Sequence, residues 1–386
     1  MNLDRLPVSK LPQVGTTIFT VMSALAHEHG AINLSQGFPD FGGDHRLIEW
    51  VHQAMLAGHN QYAPMPGLPA LREQVASLQQ QLYGATYDPD TEVTITSGAT
   101  EALAVALATF IHPGDEVIIF EPAYDAYQPN IELHGGVARA IPLSLPDYRI
   151  DWDRVRESLT PQTRAIIINS PHNPTGAVLT QEDLETLAQL LAEFPQLMLI
   201  GDEVYEHIIF DGQSHLSLSG HPALKPRSLV ISSFGKTLHT TGWKVGYLLA
   251  PAALAQEFRK VHQFTVFSVP TPFQHALARY LREGQAEILG LKQFYQAKRD
   301  LFLDLMAESR FRPIASQGTY FQLMGYEGIS DLPEDEFARW LTTEVGVAAI
   351  PVSAFYQTSV DNQTVRFCFA KEDETLASAA KKLVKL

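Results

Sequence analysis

The feature that most constrains this chain is a rhythm that begins near residue 92. Short apolar runs at residues 93–96, 117–120, 165–169, 197–201, 229–232 and 245–249 alternate with segments of helical periodicity. Strands buried on both faces read as unbroken apolar runs, so the alternation predicts an α/β fold, a mainly parallel sheet with helices on both sides. Ahead of it, residues 16–29 have helical spacing behind a Thr cap, and residues 47–56 and 69–83 read as helices, the second ending at Gly84. Two Gly- and Pro-rich loops separate these segments, SQGFPDFGG at residues 35–43 and NQYAPMPG at residues 60–67. After about residue 285 the order is helix (290–308), strand (318–323), helix (333–345), strand (364–369) and a terminal helix, a smaller α+β unit. No repeat or long linker interrupts the chain, so the two parts are expected to pack closely.

Composition narrows the function. The 386 residues hold 28 Lys and Arg against 43 Asp and Glu, a net charge of −15, with 45% hydrophobic residues. That content supports sizeable cores and argues against disorder. The acidic balance argues against a nucleic-acid binder or an anionic membrane surface, which reward clustered Lys and Arg. The single cysteine, Cys368, excludes an internal disulfide, a Cys-rich zinc site and a Cys-ligated iron–sulfur cluster. It reads as a small core residue. Residues 1–10 lack the apolar run of a leader, and no stretch reaches the roughly 18 apolar residues of a membrane span. A soluble cytoplasmic protein is expected.

The chemistry is expected in the loops that follow the apolar runs, because ligands of open α/β sheets bind beyond the carboxyl ends of the strands. SGATEAL, residues 97–103, leads into an apolar helix whose free amides and dipole form an anion site. EPAYDAY, residues 121–127, brings Tyr124 and Tyr127 to a strand exit, where an aromatic face stacks on a flat ring. NSPHNPTG, residues 169–176, offers the neutral amide of Asn173, and GDEVYEH, residues 201–207, offers the carboxylate of Asp202 and the phenol of Tyr205. The strongest segment is SSFGKTLHTTGWKVG, residues 232–246. There Lys236 sits in a turn after a strand, and a partly desolvated lysine has a depressed pKa and condenses with carbonyls. Ser233 and Lys244 add a hydroxyl and a second cation suited to a phosphate dianion.

Each motif alone has an ordinary structural reading: a capped helix, a packed tyrosine, a turn-capping acid, a surface lysine. Together they form a phosphate cradle, a stacking aromatic, a carboxylate, a phenol, an amide and a nucleophilic lysine. Pyridoxal 5′-phosphate is the cofactor that needs them all, the carboxylate keeping its ring nitrogen protonated. Metal catalysis has little support. There is no HExxH; His27 and His29 sit at a helix end, and His172 and His207 read as solvent-facing or loop-supporting. Asp202 and Glu203 are adjacent, so on a strand they point to opposite faces and form no acid–base pair. The glycine loops lack the dinucleotide and nucleoside-triphosphate patterns.

The chain resembles the fold-type I, class I/II aminotransferases, and within them the methionine aminotransferase branch related to kynurenine and glutamine transaminases. The likeness runs nearly end to end: KLPQVGTTIFTVMSALA, NLSQGFPDF, NQYAPMPG, SGATEAL, PHNPTG, DEVYEH, SSFGKT, TGWKVG, GTYF and VRFCFAK occur in the family's order. The resemblance implies that Lys236 joins the cofactor covalently and Asp202 pairs with its ring nitrogen. Tyr205 and Asn173 would bond the ring hydroxyl and Tyr124 would stack on the ring. Ala99, Thr100, Ser233 and Lys244 would hold the phosphate, helped by Tyr62 from the other subunit of a homodimer. Lys244 stands where the wider class has Arg, which fits this branch. Arg366 would clamp the substrate carboxylate with help from Gly37, and Ile18, Phe19, Phe267 and Tyr320 would lie near the side chain.

These residues offer no second cation, so the resemblance implies methionine or aromatic donors, extending to glutamine or kynurenine, a 2-oxo acid acceptor and ping-pong turnover. The same chemistry leaves a carbon–sulfur β-lyase acting on cysteine S-conjugates as the alternative. A non-catalytic cofactor sensor would need an added DNA-binding module that the chain lacks. The implied division is residues 1–44 and 286–386 in a small domain and residues 45–285 in a large cofactor-binding domain.

Overall fold

The computed structural model describes residues 8–358 and 360–386, so the expectation about residues 1–10 lies largely outside them. Helix α1 (Ile18–Glu28) starts where the Thr17 hydroxyl accepts the Thr20 amide at 3.3 Å. The two-residue strand β1 (Ile32–Asn33) and the loop at residues 35–43 follow, then α2 (His45–Leu56) and α3 (Pro69–Tyr83). Proline opens α3 where its missing N–H costs nothing, and Gly84 closes it at φ +66°, as the sequence predicts.

The large sheet then builds up as β2 (Val93–Thr96), α4 (Gly98–Phe110), β3 (Glu116–Glu121), α5 (Tyr127–Leu133), β4 (Val137–Pro142), α6 (Trp152–Ser158), β5 (Thr163–Asn169), α7 (Gln181–Glu193), β6 (Met198–Asp202), β7 (Ser228–Ser233), the single turn α8 (Phe234–Thr237) and β8 (Gly246–Leu249). Its order is β2-β8-β7-β6-β5-β3-β4. Every residue of β2, β3, β6 and β8 is buried, which explains why apolar residues dominate them on both faces. Alternate side chains serve opposite faces. Val117, Ile119, Ile167, Ile200 and Ile231 pack with Ala102, Ala106 and Phe258 on one side, while Ile118, Ile166, Ile168, Leu199 and Val230 join the core of the other.

Two features depart from the sequence reading. β4 is an additional edge strand, hidden in the sequence because only Ile141 of its six residues is buried. β8 runs antiparallel to both β2 and β7, because residues 234–245 turn back at the carboxyl end of β7 instead of crossing over the sheet. The second departure bears on function: the start of β8 meets the carboxyl ends of the parallel strands, and Gly246 pairs with Thr96 and with Ser233. Lys244 is thereby brought to the crevice.

The chain continues through α9 (Ala252–Thr265), α10 (Thr271–Glu283), α11 (Gln285–Leu305), β9 (Arg312–Pro313), β10 (Phe321–Gly325), α12 (Glu334–Trp340), β11 (Val347–Ala348), β12 (Ile350–Pro351), β13 (Thr364–Cys368) and α13 (Asp373–Leu383). A second, antiparallel sheet has the order β12-β13-β10-β9. β1 pairs in parallel with β11, tying the N-terminal segment to the C-terminal part. α10 packs on α2 and α3, whereas α11 packs on α13, so the packing partner changes at Gly284. Cys368 is fully buried, as expected of a core residue. Among the described residues no helix is long and apolar enough to cross a membrane.

Candidate active site

A cavity of about 230 Å³ opens where the carboxyl ends of β2, β5, β6 and β7 face the antiparallel sheet. One wall begins at α4. Its first amides, Gly98 to Thr100, have no intrahelical acceptor and edge the cavity. Gly98 has φ +71°, and a Cβ there would lie 3.2 Å from Lys244 Nζ. A side chain on Gly246 would come within 3.0 Å of the Ala99 amide nitrogen. Only glycines leave this cradle open. Lys244, itself at φ +52°, reaches Thr100 Oγ1 at 3.2 Å, and burial lowers its pKa. Ser97 makes no side-chain cap; Glu101 accepts the Ser97 amide at 3.0 Å and bonds the buried His262 Nδ1 at 2.8 Å.

Asp202 ends β6 inside the cavity. Burial raises its pKa, opposed by the Tyr127 hydroxyl, which donates to Oδ2 at 2.6 Å. Glu203 points away, accepting the Leu218 amide and bonding His215 at 2.8 Å, so the adjacent acids do face opposite ways. Asn169 lies opposite Asp202 in the sheet; its amide donates to the Asp202 carbonyl at 2.8 Å and its oxygen accepts the Asn173 amide at 2.8 Å. Tyr124 and Tyr205 line the cavity, and burial pushes the Tyr124 phenol up to about 12.

Lys236 rises from α8, which the Ser233 hydroxyl caps by accepting the Gly235 amide at 3.2 Å. Desolvation is the main reason its pKa falls to about 8, with Arg366 and Lys244 adding to the effect. Its amine donates to the Gly37 carbonyl at 3.0 Å and to the Tyr320 hydroxyl at 2.8 Å. The same Gly37 carbonyl accepts the Tyr320 hydroxyl at 2.6 Å. A Cβ at Gly37 would meet the Phe321 ring at 2.9 Å, so this approach of the loop requires glycine.

The facing wall is formed by Arg366, fully buried in β13 opposite Ile350 of β12 and Leu323 of β10. Its guanidinium donates to Asn173 Oδ1 at 2.8 Å and to the Ser35 carbonyl at 3.0 Å, while Nε has no partner. The rings of Phe321, Phe19 and Phe355 surround it at 3.9, 5.2 and 5.4 Å. Burial lowers its pKa to about 10. None of its close partners is a carboxylate, which leaves a buried fork open to one.

The structure therefore brings together Phe19, Gly37, Ala99, Thr100, Tyr124, Asn173, Asp202, Tyr205, Ser233, Lys236, Lys244 and Arg366 around one cavity. It does not bring Ile18, Tyr62 or Phe267 to that wall; Tyr62 is 82% exposed and packs edge-on against Phe267. Tyr320 is corrected from a wall residue to a fully buried one whose hydroxyl touches Lys236. His172 is buried and bonds Thr175, so it supports the loop and does not face solvent. Tyr127, Asn169, Glu101 and Gln36 were missed as site residues. Tyr127 had been placed at the strand exit, but no local signal paired it with Asp202. No group of three or more potential metal ligands occurs among the described residues.

The residues fit pyridoxal 5′-phosphate: an open glycine cradle with a cation for a phosphate, a buried acid for a ring nitrogen, and a desolvated lysine for an aldehyde. Comparison with known proteins agrees. Residues 29–383 match the aminotransferase class I and II family. The chain is 49% identical to the methionine aminotransferase of Escherichia coli K12 over 385 residues, a coverage of 100% of each chain. The crystal structure of that organism's YbdL, identified as a methionine aminotransferase, superposes with a TM-score of 0.97, covering 99% of this chain and 100% of the other. The probable N-succinyldiaminopimelate aminotransferase DapC of Mycobacterium tuberculosis is 41% identical over 97% of each chain. The human kynurenine–oxoglutarate transaminase 1 is 34% identical over 94% of this chain and 93% of its own. Cavity chemistry, sequence and fold agree that the chain belongs to the class I and II aminotransferases, enzymes that depend on pyridoxal 5′-phosphate.

Proposed function

We propose that this aminotransferase takes its amino group from methionine and aromatic amino acids, with glutamine and kynurenine as further donors, and passes it to a 2-oxo acid in ping-pong turnover. The observation that carries the reading is Arg366: a buried fork with no carboxylate partner, set among Phe19, Phe321 and Phe355. It suits an α-carboxylate attached to an apolar side chain. The cations lining the cavity are Lys236, Lys244 and Arg366, which leaves none for the distal carboxylate of a dicarboxylic donor. The relatives' names span several substrates, so the choice rests on the cavity.

When bound, pyridoxal 5′-phosphate supplies an electron-accepting ring that lets the α-carbon release its proton. In this reading the α4 amides at Ala99 and Thr100, with Ser233 and Lys244, hold the phosphate. Asp202 would keep the ring nitrogen protonated, Tyr205 and Asn173 would bond the ring hydroxyl, and Tyr124 would stack on the ring. Lys236 would hold the aldehyde, and its Nζ, when free, would carry the proton. A pKa near 8 leaves part of it neutral at physiological pH and fit to act as a base. Arg366 orients the donor so that its α-hydrogen faces that amine.

We further infer a homodimer with shared active sites. The exposed Tyr62, packed edge-on against Phe267, is absent from its own cavity wall and would serve the partner's phosphate site. Residues 1–44 and 286–386 are proposed to form the small domain and 45–285 the large one, supported by the pairing of β1 with β11 and the change of packing at Gly284. The single, buried, unpaired Cys368 is consistent with a reducing cytoplasm.

Initial rates with a panel of donors test the specificity. Methionine and phenylalanine are expected to exceed aspartate in kcat/KM by about tenfold or more, while differing little from each other, since apolar pockets separate similar side chains by only about 1–3 kcal/mol. Aspartate as the best donor would overturn it.

A further inference from the structure

We propose that Tyr320 is a positioning residue for amino transfer, its hydroxyl docking the Lys236 amine against the Gly37 carbonyl whenever that amine is free. The inference rests on the reading of Lys236 as the group that moves the proton. Three polar atoms form a closed triangle: Tyr320 Oη donates to the Gly37 carbonyl at 2.6 Å, and Lys236 Nζ donates to that carbonyl at 3.0 Å and to Oη at 2.8 Å. With its proton committed to Gly37, the phenol offers Lys236 a lone pair. A long, flexible lysine is thus given one location.

The phenol is itself fixed. Tyr320 is fully buried, and its ring is boxed by Tyr205 at 5.1 Å, Phe321 at 4.9 Å and Tyr295 at 5.6 Å. The preceding residue, Thr319, has φ +66°, a conformation that a β-branched residue adopts only under constraint from its surroundings. Its amide donates to the Ile208 carbonyl at 3.0 Å, and the Tyr320 carbonyl accepts the Phe369 amide at 3.0 Å. The chain is held in a strained turn on both sides of the residue whose hydroxyl meets the lysine. The triangle also links β7, which leads to Lys236, with the loop at residues 35–43 and with β10.

Tyr320→Phe removes the hydroxyl and keeps the ring. In the holoenzyme, KM for methionine and cofactor affinity are expected to stay within about threefold, while the single-turnover rate without acceptor falls about 10- to 30-fold. Methionine deuterated at the α-carbon should show a larger isotope effect in the variant, because a misplaced base makes proton transfer more limiting. In the cofactor-free protein, acetylation of Lys236 by acetic anhydride, read by mass spectrometry, should quicken about threefold or more as the amine loses an acceptor. An unchanged single-turnover rate, an unchanged isotope effect or unchanged acetylation would each overturn the proposal. Lys236→Ala separates the two readings. Turnover in that variant removes the assignment of Lys236 and Tyr320 with it; an inactive Lys236→Ala beside a wild-type Tyr320→Phe removes Tyr320 alone.

Discussion

The wall supplied by the seven-stranded sheet and the wall supplied by the small antiparallel sheet meet across one cavity, yet they hold their charges differently. On the first, polar groups sit at strand ends and carry their own partners: Asp202 has Tyr127, Lys244 has Thr100, and the start of α4 is fixed by Glu101. On the second, Arg366 also bonds neutral oxygens, but it lies fully buried in mid-strand between two neighbours and leaves Nε unpaired. A buried cation with no carboxylate bonded to it is costly, and a ligand that brings one relieves that cost. The first wall suits a resident cofactor. The second suits a carboxylate that arrives and leaves.

Substitutions on each wall should therefore fail in different ways. The largest effect is expected from Lys236→Ala, which removes both the covalent anchor and the mobile base; turnover should fall by about 10⁴-fold or more, with loss of the visible absorbance of the lysine-bound cofactor. Next is Arg366→Lys. A point charge cannot reproduce the fork, so kcat/KM for methionine should fall about 100-fold while cofactor affinity changes less than about threefold. The same variant should discriminate far less between methionine and its decarboxylated amine. A collapse of cofactor affinity in Arg366→Lys would show that the two walls are not separable.

How much of each wall the sequence reveals follows from how it is built. Asp202 ends a buried parallel strand, and Asn173 and Lys236 follow one within four residues, so reading the apolar runs and the loops after them is enough to group them. Arg366 depends on the register of β13 between β10 and β12, strands that end earlier in the chain at residues 325 and 351, and only a family resemblance singled it out. Tyr320 is expected only near the side chain, because the sequence does not say whether a tyrosine shows a cavity its ring or, as here, turns its hydroxyl to a lysine. β4 was missed because an edge strand needs few apolar residues, and Lys244 reaches the cradle by a reversal of β8 that periodicity does not encode.

The smallest effect tests the finer claim that the first wall prepares its own charges. Tyr127 lies 75 residues from Asp202 in sequence and donates to it at 2.6 Å, stabilising the ionised carboxylate against the burial that raises its pKa. Tyr127→Phe removes that donor and should raise the Asp202 pKa further. The fraction of ionised Asp202 then falls as pH falls, so cofactor binding that needs the carboxylate weakens most in acid. Loss of one hydrogen bond to a charged group, about 1.5 kcal/mol, corresponds to roughly tenfold weaker binding. Titration of the cofactor-free protein with pyridoxal 5′-phosphate should show a larger loss at pH 6 than at pH 8, with KM for methionine nearly unchanged. An equal loss at both pH values would mean that Tyr127 shapes the pocket without tuning the acid, and a shift in KM instead would mean that the walls share their work.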